Sequence, residues 1–151
     1  MMRVRGFEFT QEYCERGLKL PTRSTQGSAG YDISAAVDMR LCPGKMAVIP
    51  TGVKAYMQHG EYLGIHIRSS LAIKNGLHLA NSQGIIDEDY YNNPDNEGHI
   101  LIAIVNGGTR EFFIEKGMRI AQGIFVRYLL TDQDEAASKE VRAGGIGSTG
   151  L

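Results

Sequence analysis

The sequence predicts an all-β domain of the barrel or jelly-roll class, built from ten or more short strands with one short helix. Its apolar residues fall in short runs, many of them alternating with polar residues, and turn-forming residues separate one run from the next. The chain contains 19 glycines, no tryptophan and no long amphipathic repeat, a composition typical of turns and short strands. With 151 residues it is about one domain long and can bury a real core.

Each apolar or alternating run between turn residues predicts a strand. The first run, residues 3–9, alternates loosely and is expected at a sheet edge. A polar loop over residues 92–98 is flanked by two such runs, which predicts a β-hairpin with a long tip. The remaining predicted strands cover residues 31–35, 46–50, 53–57, 62–68, 85–86, 100–105, 111–115 and 119–126.

One segment, residues 69–76, carries the start and stop signals of a short helix. Ser69 or Ser70 is expected to cap its N-terminus, and Gly76 to end it. The serine hydroxyls and free backbone amides beside Arg68 could hold a phosphate group at that end. A plain serine cap explains the same residues equally well, so both interpretations stay open.

Residues 81–91 carry the strongest signal for chemistry. The β-branched pair Ile85 and Ile86 favours a strand, and Gly84 before it would let a ligand approach the backbone closely. Asp87 follows directly, where partial burial would raise the pKa of its carboxyl group and make it a better base. The competing interpretation is an ordinary strand end that runs into an acidic, solvated turn.

Two further groups of polar residues suit an anionic ligand. Arg119 and Gln122 lie in an apolar strand, where each needs a polar partner. Arg142 begins a glycine-rich segment whose amides and hydroxyls could wrap an anion, although a disordered tail fits the same composition. Taken with Arg68 and Asp87, these residues indicate a polyphosphate ligand and a hydrolase.

Composition and charge exclude several classes of protein. The chain has 16 Lys and Arg against 17 Asp and Glu, which argues against a broad nucleic-acid or membrane surface. No run is long enough to span a membrane, and the N-terminus lacks the apolar core of a signal peptide. Cys14 and Cys42 form no motif and predict free thiols in a reducing compartment, with a single disulfide as the alternative. The sequence therefore predicts a soluble, cytoplasmic protein.

Five short motifs follow one another across nearly the whole chain. They are Ala29-Gly30-Tyr31-Asp32-Ile33, Arg68-Ser69-Ser70-Leu71-Ala72-Ile73-Lys74, residues 81–90, Arg119-Ile120-Ala121-Gln122, and Arg142-Ala143-Gly144-Gly145-Ile146-Gly147-Ser148-Thr149-Gly150. In this order they closely resemble the motifs of the trimeric deoxyuridine triphosphate nucleotidohydrolases (dUTPases). Each motif alone is weakly specific, whereas five in order are very specific.

The resemblance implies a distorted jelly-roll or β-clip barrel that assembles as a homotrimer, with active sites shared between subunits. It implies Mg²⁺-dependent hydrolysis of dUTP to dUMP and pyrophosphate, a reaction that limits uracil in DNA and supplies dUMP for dTMP synthesis. Residues 1–135 would form the hydrolase domain, and residues 136–151 a flexible arm that closes over the active site. Neither nucleic acid nor membrane is expected as a partner.

The resemblance also implies roles for the residues around the third motif. Asp87 would be the general base that orients a water molecule towards the α-phosphorus. Tyr90 would pack against the deoxyribose and leave no room for a 2′-hydroxyl group. The backbone of residues 84–86, with Asn81, would read the edge of uracil, where a thymine methyl group would clash. Leu101 is also assigned to the substrate-binding residues.

The other motifs would hold the triphosphate. Ser69 and Ser70, backed by Arg68, would bind the inner phosphates, and Gln122 would reach the α-phosphate. Arg142 and the glycine-rich arm would close over the outer phosphates. The further substrate-binding residues of the arm are Ile146, Gly147 and Ser148. Mg²⁺ would be held by the triphosphate and water without a direct protein ligand, and the aspartate of the first motif, Asp32, would have a structural or supporting role.

The chain departs from the family pattern at two places. Ile146 stands where the fifth motif usually has an aromatic residue that stacks on uracil, and the loss of stacking is worth roughly 1–3 kcal/mol per base. Residues 91–96 intervene after Tyr90, where the family normally turns straight to glycine, so the tip of the hairpin is longer. Because this insertion follows Tyr90, the base pocket is expected to be retained.

Two other functions compete with dUTP hydrolysis. A dCTP deaminase of the same superfamily would need a glutamate in the strand after the hairpin, but residues 99–105 contain no acid and Glu97 lies too early. A non-catalytic nucleotide-binding or protein-interaction module is the alternative of a different class. The presence of Asp87 argues against it, whereas Ile146 and the longer tip leave room for an additional regulatory role.

Overall fold

The structure is a computed structural model that describes residues 2–134 and 139–150. Within these residues the chain forms eleven β-strands and one α-helix, which confirms the predicted all-β class with one short helix. Two single-turn 3₁₀ helices cover Gln11–Tyr13 and Glu88–Tyr90. The strands are β1 Gly6–Phe9, β2 Tyr31–Ser34, β3 Met39–Leu41, β4 Met46–Pro50, β5 Val53–Tyr56, β6 Glu61–Ile67, β7 Leu77–Leu79, β8 Gly84–Asp87, β9 Leu101–Asn106, β10 Phe112–Ile114 and β11 Arg119–Arg127.

The strands pair antiparallel in four small sheets. The largest has the strand order β2-β11-β6-β8, and the next has the order β4-β9-β7. β1 pairs with β5 and β3 pairs with β10, so the predicted edge strand within residues 3–9 is confirmed as β1. Sequence analysis missed β3 and β7, each of which has only three residues.

An apolar core connects residues from nearly every strand. β9 shows the strand period of two clearly, since Ile102 and Ile104 are buried while Leu101, Ala103 and Val105 are only partly covered. Burying an isoleucine side chain contributes about 1.5–3 kcal/mol relative to exposure. The core therefore holds β9 rigidly, and the residues on its outer face become available to line a site.

The helix α1, Ser69–Asn75, is where the sequence places it, but its start differs by one or two residues from the prediction. Arg68 is the N-cap residue, with extended backbone and no capping bond from its side chain, so the assignment of Ser69 or Ser70 as the cap was wrong. Both serines lie in the exposed first turn instead. The predicted stop is confirmed, because Gly76 adopts a left-handed conformation with φ of 69° and donates its N–H to the carbonyl of Ala72.

The predicted hairpin between the strands on either side of residues 92–98 was wrong. β8 pairs with β6, whereas β9 pairs with β4 along one edge and with β7 along the other. β4 occupies one edge of β9, and β7 occupies the other edge at residues 104–106, so β8 does not pair with β9. The two strands consequently belong to different sheets, and the space between them is open to a ligand.

The described residues bear on two expectations from the sequence, the absence of a membrane-spanning run and the state of the two cysteines. Across residues 2–134 and 139–150, every helix is too short or too polar to cross a bilayer. Cys14 and Cys42 are both exposed and free, which confirms the prediction of free thiols over the disulfide alternative.

Candidate active site

A cavity of about 310 Å³ opens among β7, β8 and β9. β8 is the last strand of its sheet, so its second edge presents backbone N–H and C=O groups that no neighbouring strand uses within the described residues. Apolar side chains and this free edge make up most of the wall. The cavity is lined by Ile65, Leu79, Ala80, Asn81, Gly84, Ile85, Ile86, Asp87, Tyr90, Leu101, Ile102, Ala103, Arg142 and Ile146.

Asp87 ends β8 at the mouth of this cavity, with its side chain 50% exposed. Partial burial is the largest influence on its carboxyl group and raises the pKa. The negative charges of Asp89 and Glu88 act in the same direction, while the guanidinium of Arg142 opposes them. Asp87 is therefore a carboxylate with increased basicity that still has access to solvent.

Two acidic residues beside Asp87 have different partners. Glu88 accepts hydrogen bonds from the backbone N–H of Gly60 at 2.8 Å and lies 2.7 Å from Nδ1 of His59, as expected of a structural surface charge. Asp89 accepts a hydrogen bond of 2.7 Å from Nε of Arg142. No local sequence pattern reveals this bond, because Arg142 lies 53 residues further along the chain.

Arg142 brings the glycine-rich arm to the mouth of the cavity. Its Nη2 donates to Oδ2 of Asp87 at 2.6 Å, and its guanidinium carbon lies 5.8 Å from the centre of the Tyr90 ring. The arm is also held further along, where the backbone N–H of Gly145 donates to Oδ2 of Asp95 at 3.2 Å. Ile146 lines the cavity mouth but remains largely exposed.

A second cluster of polar residues is centred on Asp32 of β2. Although partial burial would raise the pKa of Asp32, hydrogen bonds from Ser24 at 2.6 Å and Arg119 at 3.0 Å hold it below its usual value. Nε of Arg68 lies 3.6 Å from the same carboxylate. Asp32 thus bonds to Arg119 and brings two cationic side chains together.

Gln122 belongs to this second cluster, since it lies opposite Asp32 in the β2-β11 pair and opposite His66 in the β6-β11 pair. Gly30 packs closely beside it, because a Cβ atom there would lie 2.4 Å from Oε1 of Gln122 and the glutamine side chain would have to shift. β6 separates β11 from β8, so Gln122 is about 10 Å from β8 at the usual strand spacing, although Ile65 of the intervening strand β6 also lines the cavity.

The predicted site residues thus fall into two groups within one chain. The cavity contains nine of them, Asn81, Gly84, Ile85, Ile86, Asp87, Tyr90, Leu101, Arg142 and Ile146. Outside its lining lie Arg68, Ser69, Ser70, Gln122, Gly147 and Ser148. Five lining residues were not revealed by the sequence, namely Ile65, Leu79, Ala80, Ile102 and Ala103. They lie in strands or directly after one, and the neighbours of these strands are decided by sheet pairing, which no local pattern encodes.

Residues 16–150 match the family model of the dUTPases. The chain is 53% identical over 149 residues to the deoxyuridine 5'-triphosphate nucleotidohydrolase of Lactococcus lactis subsp. lactis (strain IL1403), with 99% of each chain aligned. Among solved structures, the dUTPase from Streptococcus mutans is 47% identical, with a TM-score of 0.79 over 84% of this chain and 98% of that chain. A mutant dUTPase from phage phi11 of S. aureus, which coordinates a structural Mg(II) ion, shares the fold with a TM-score of 0.73 at 21% identity, over 88% of this chain and 96% of its own. The chain therefore belongs to the dUTPase family.

Proposed function

We propose that Asp87 activates the water molecule that attacks the α-phosphorus of dUTP, in the hydrolysis of dUTP to dUMP and pyrophosphate that defines the dUTPase family. The observation that carries the proposal is the position of Asp87, half exposed at the mouth of a largely apolar cavity. The raised pKa of its carboxyl group increases its strength as a base. Its access to solvent lets a water molecule bind against it.

The free edge of β8 suits the recognition of uracil. Unpaired backbone N–H and C=O groups along residues 84–86 can hydrogen-bond to the edge of a planar base as they would to another strand. Asn81 and Leu101 contribute to the same cavity. The C5 position of the base would face this wall closely, so the methyl group of thymine would clash. Tyr90, from its place in the lining, would support the deoxyribose.

The second cluster suits the phosphate chain. Arg68 lies directly before α1, and Ser69 and Ser70 expose their hydroxyl groups beside it. Gln122 lies on the adjacent strand, close to Asp32. In our proposal Arg68 and the two serines hold the inner phosphates, and Gln122 reaches the α-phosphate.

Mg²⁺ fits this arrangement as an ion carried by the substrate. Within residues 2–134 and 139–150, no three His, Cys, Asp or Glu side chains are grouped to hold a metal, and the carboxylate of Asp32 already binds Arg119 and Ser24. Mg²⁺ is commonly held by substrate phosphates and water, with few protein ligands. When bound, it neutralises charge on the triphosphate. We therefore assign it to the phosphate oxygens and water, without a direct protein ligand.

The separation of the two groups favours active sites that are shared between subunits. One chain holds the nucleoside cavity, and the phosphate-binding candidates lie across the sheet from it. A symmetric homotrimer would place the second cluster of one protomer against the cavity of another. The arm, residues 136–151, would then close over the outer phosphates through Arg142, Gly147 and Ser148. We place this reaction in the cytoplasm, where the free thiols Cys14 and Cys42 stay reduced.

The substitution Asp87→Asn tests the base assignment. It keeps the shape of the side chain but removes the proton acceptor, so dUTP hydrolysis should fall by a factor of roughly 10²–10⁴. Binding of a dUTP analogue with a non-hydrolysable α,β bridge should stay within a few fold of wild type, because the side chain keeps its shape. Calorimetry measures this binding. As a matched control, Asp132→Asn changes an exposed carboxylate outside the cavity lining and should leave turnover unchanged.

Pyrophosphate release should be measured in parallel with dUTP, dCTP, dTTP and UTP. Strong preference for dUTP is the expected result. Near-normal turnover by Asp87→Asn would show that another group is the base. Ammonia release from dCTP would show instead that the chain is a deaminase.

A further inference from the structure

Tyr90 is anchored at its hydroxyl group by two hydrogen bonds. The hydroxyl donates to the backbone carbonyl of His99 at 2.8 Å and accepts from Nδ2 of Asn96, also at 2.8 Å. The residue is only 7% exposed, yet it lines the cavity. Since both the proton and a lone pair of the hydroxyl are engaged, the tilt of the ring towards the cavity is fixed from its far end.

The side-chain amide of Asn96 is itself oriented by its partners. Its Oδ1 accepts from Nδ2 of Asn93 at 2.8 Å and from the backbone N–H of Gly98 at 3.1 Å. An amide oxygen that faces two donors leaves Nδ2 as the atom that faces Tyr90. Asn93 is buried and accepts at Oδ1 from the backbone N–H groups of Asp95 and Asn96. The loop therefore directs one donor at the Tyr90 hydroxyl.

The loop that carries Asn96 is fixed to the body of the protein at both ends. Nζ of the buried Lys54, on β5, lies 2.6 Å from Oδ1 of Asn92 and 2.6 Å from Oε1 of Glu97. The backbone N–H of Gln11 donates to the carboxylate of Glu97 at 3.0 Å. Because a buried ammonium group is costly without its partners, Lys54 keeps the ends of the loop in place. Residues 92–97 thus form a rigid support behind Tyr90.

We propose that Asn96 is a positioning residue that sets the tilt of Tyr90 and thereby the discrimination between 2′-deoxy and 2′-hydroxy nucleotides. The inference rests on the proposed role of Tyr90 against the deoxyribose. A ring anchored at two bonds cannot retreat to admit an additional oxygen atom, whereas a ring with one anchor can tilt away. Asn96 does not line the cavity, so it acts through Tyr90.

The test compares kcat/KM for dUTP and UTP in the full-length chain. Asn96→Ala should lower the dUTP to UTP ratio roughly two- to tenfold, the effect of one net hydrogen bond, mainly through faster use of UTP. Tyr90→Phe keeps the ring, removes its anchor and should lower the ratio similarly. The double variant should lower it no further than Tyr90→Phe alone, because both changes break the same bond.

Glu97→Gln is the matched control for a loop that is merely loosened. It weakens the contact with Lys54 but leaves the bond between Asn96 and Tyr90, so the wild-type ratio should persist. Thermal denaturation of every variant identifies any that do not fold. If Asn96→Ala does not fold, Asn96→Asp carries the test, because it keeps Oδ1 and removes only the donor to Tyr90.

Three results would overturn the inference alone. They are a wild-type ratio in folded Asn96→Ala or in Tyr90→Phe, an equal loss of the ratio in Glu97→Gln, and a further loss when Asn96→Ala is added to Tyr90→Phe. A wild-type chain that does not hydrolyse dUTP at all would instead overturn the proposed function, together with this inference.

Discussion

At the scale of single residues, Asp87 shows how the end of a strand acquires properties that suit the proposed role of base. The β-branched pair before it fixes the strand, and the resulting partial burial raises the pKa of the carboxyl group, as the sequence predicts. The sequence contains no sign that Arg142 bonds to the same carboxylate. The side chain of Arg142 is only 13% exposed, so its positive charge acts on Asp87 at close range and opposes the effect of burial.

Removing this charge has a predicted effect on the pH dependence of activity. Arg142→Gln should raise the pKa of Asp87 in the free enzyme, because it removes the influence that lowers it. A base must be deprotonated, so kcat/KM declines as the pH falls through that pKa, and the decline in the variant should begin at higher pH. The profile of kcat/KM against pH, recorded for both proteins, measures the shift.

The level of activity does not affect this comparison, since only the position of the acid limb is compared. Arg110→Gln, a change at an exposed arginine outside the cavity lining, should leave the limb where it is. An unshifted limb in Arg142→Gln would mean that Arg142 does not contact Asp87 in solution.

At the scale of elements, β8 was predicted correctly as a segment, whereas its surroundings and those of the arm were not predicted. Apolar pattern and turn residues locate β8, yet its partner is β6 and not β9. The arm has too many glycines to form regular structure, and its observed contacts lie with Asp87, Asp89 and Asp95, far away in sequence. Local pattern therefore identifies an element, while long-range contacts decide what it faces.

Deleting residues 142–151 tests the role of the arm as an element. The described residues of this segment contribute no strand, so we expect the barrel and its thermal stability to be retained. Turnover of dUTP should fall at least tenfold, because Arg142 and the arm amides no longer cover the phosphates. Steady-state kinetics and thermal denaturation measure the two effects separately. Unchanged turnover would show that the arm has no part in catalysis.

At the scale of the whole molecule, the residues proposed to bind dUTP form two separate groups, each of which would be one half of a triphosphate site. The cavity with Asp87 and the cluster with Arg68 lie on different parts of the sheet β2-β11-β6-β8. In our proposal, a site assembled from two protomers would resolve this separation and account for the occurrence of both halves in each chain.

Mixing two inactive variants tests the shared site. Asp87→Asn and Arg68→Ala damage different halves, so a mixed oligomer contains some sites in which both halves are intact. Random mixing of equal amounts should restore about a quarter of the wild-type rate when each site draws on two protomers. Co-refolding followed by light scattering and a pyrophosphate assay measures assembly and activity together. Mixed oligomers without recovered activity would place the whole site within one protomer.

The sequence by itself determined the all-β class, the positions of most strands and the single helix, and the polar motifs that contain Asp87, Tyr90 and Arg142. These features depend on local periodicity, turn chemistry and residue type, all of which can be read from neighbouring positions. Only the tertiary structure decided that β8 and β9 lie in different sheets with a cavity between them, and that Asn96 bonds to Tyr90. The physical reason is that strand pairing joins residues that are distant in sequence, and side-chain contacts such as that of Asn96 with Tyr90 form across a folded loop. The geometry of these contacts exists only once the core has formed.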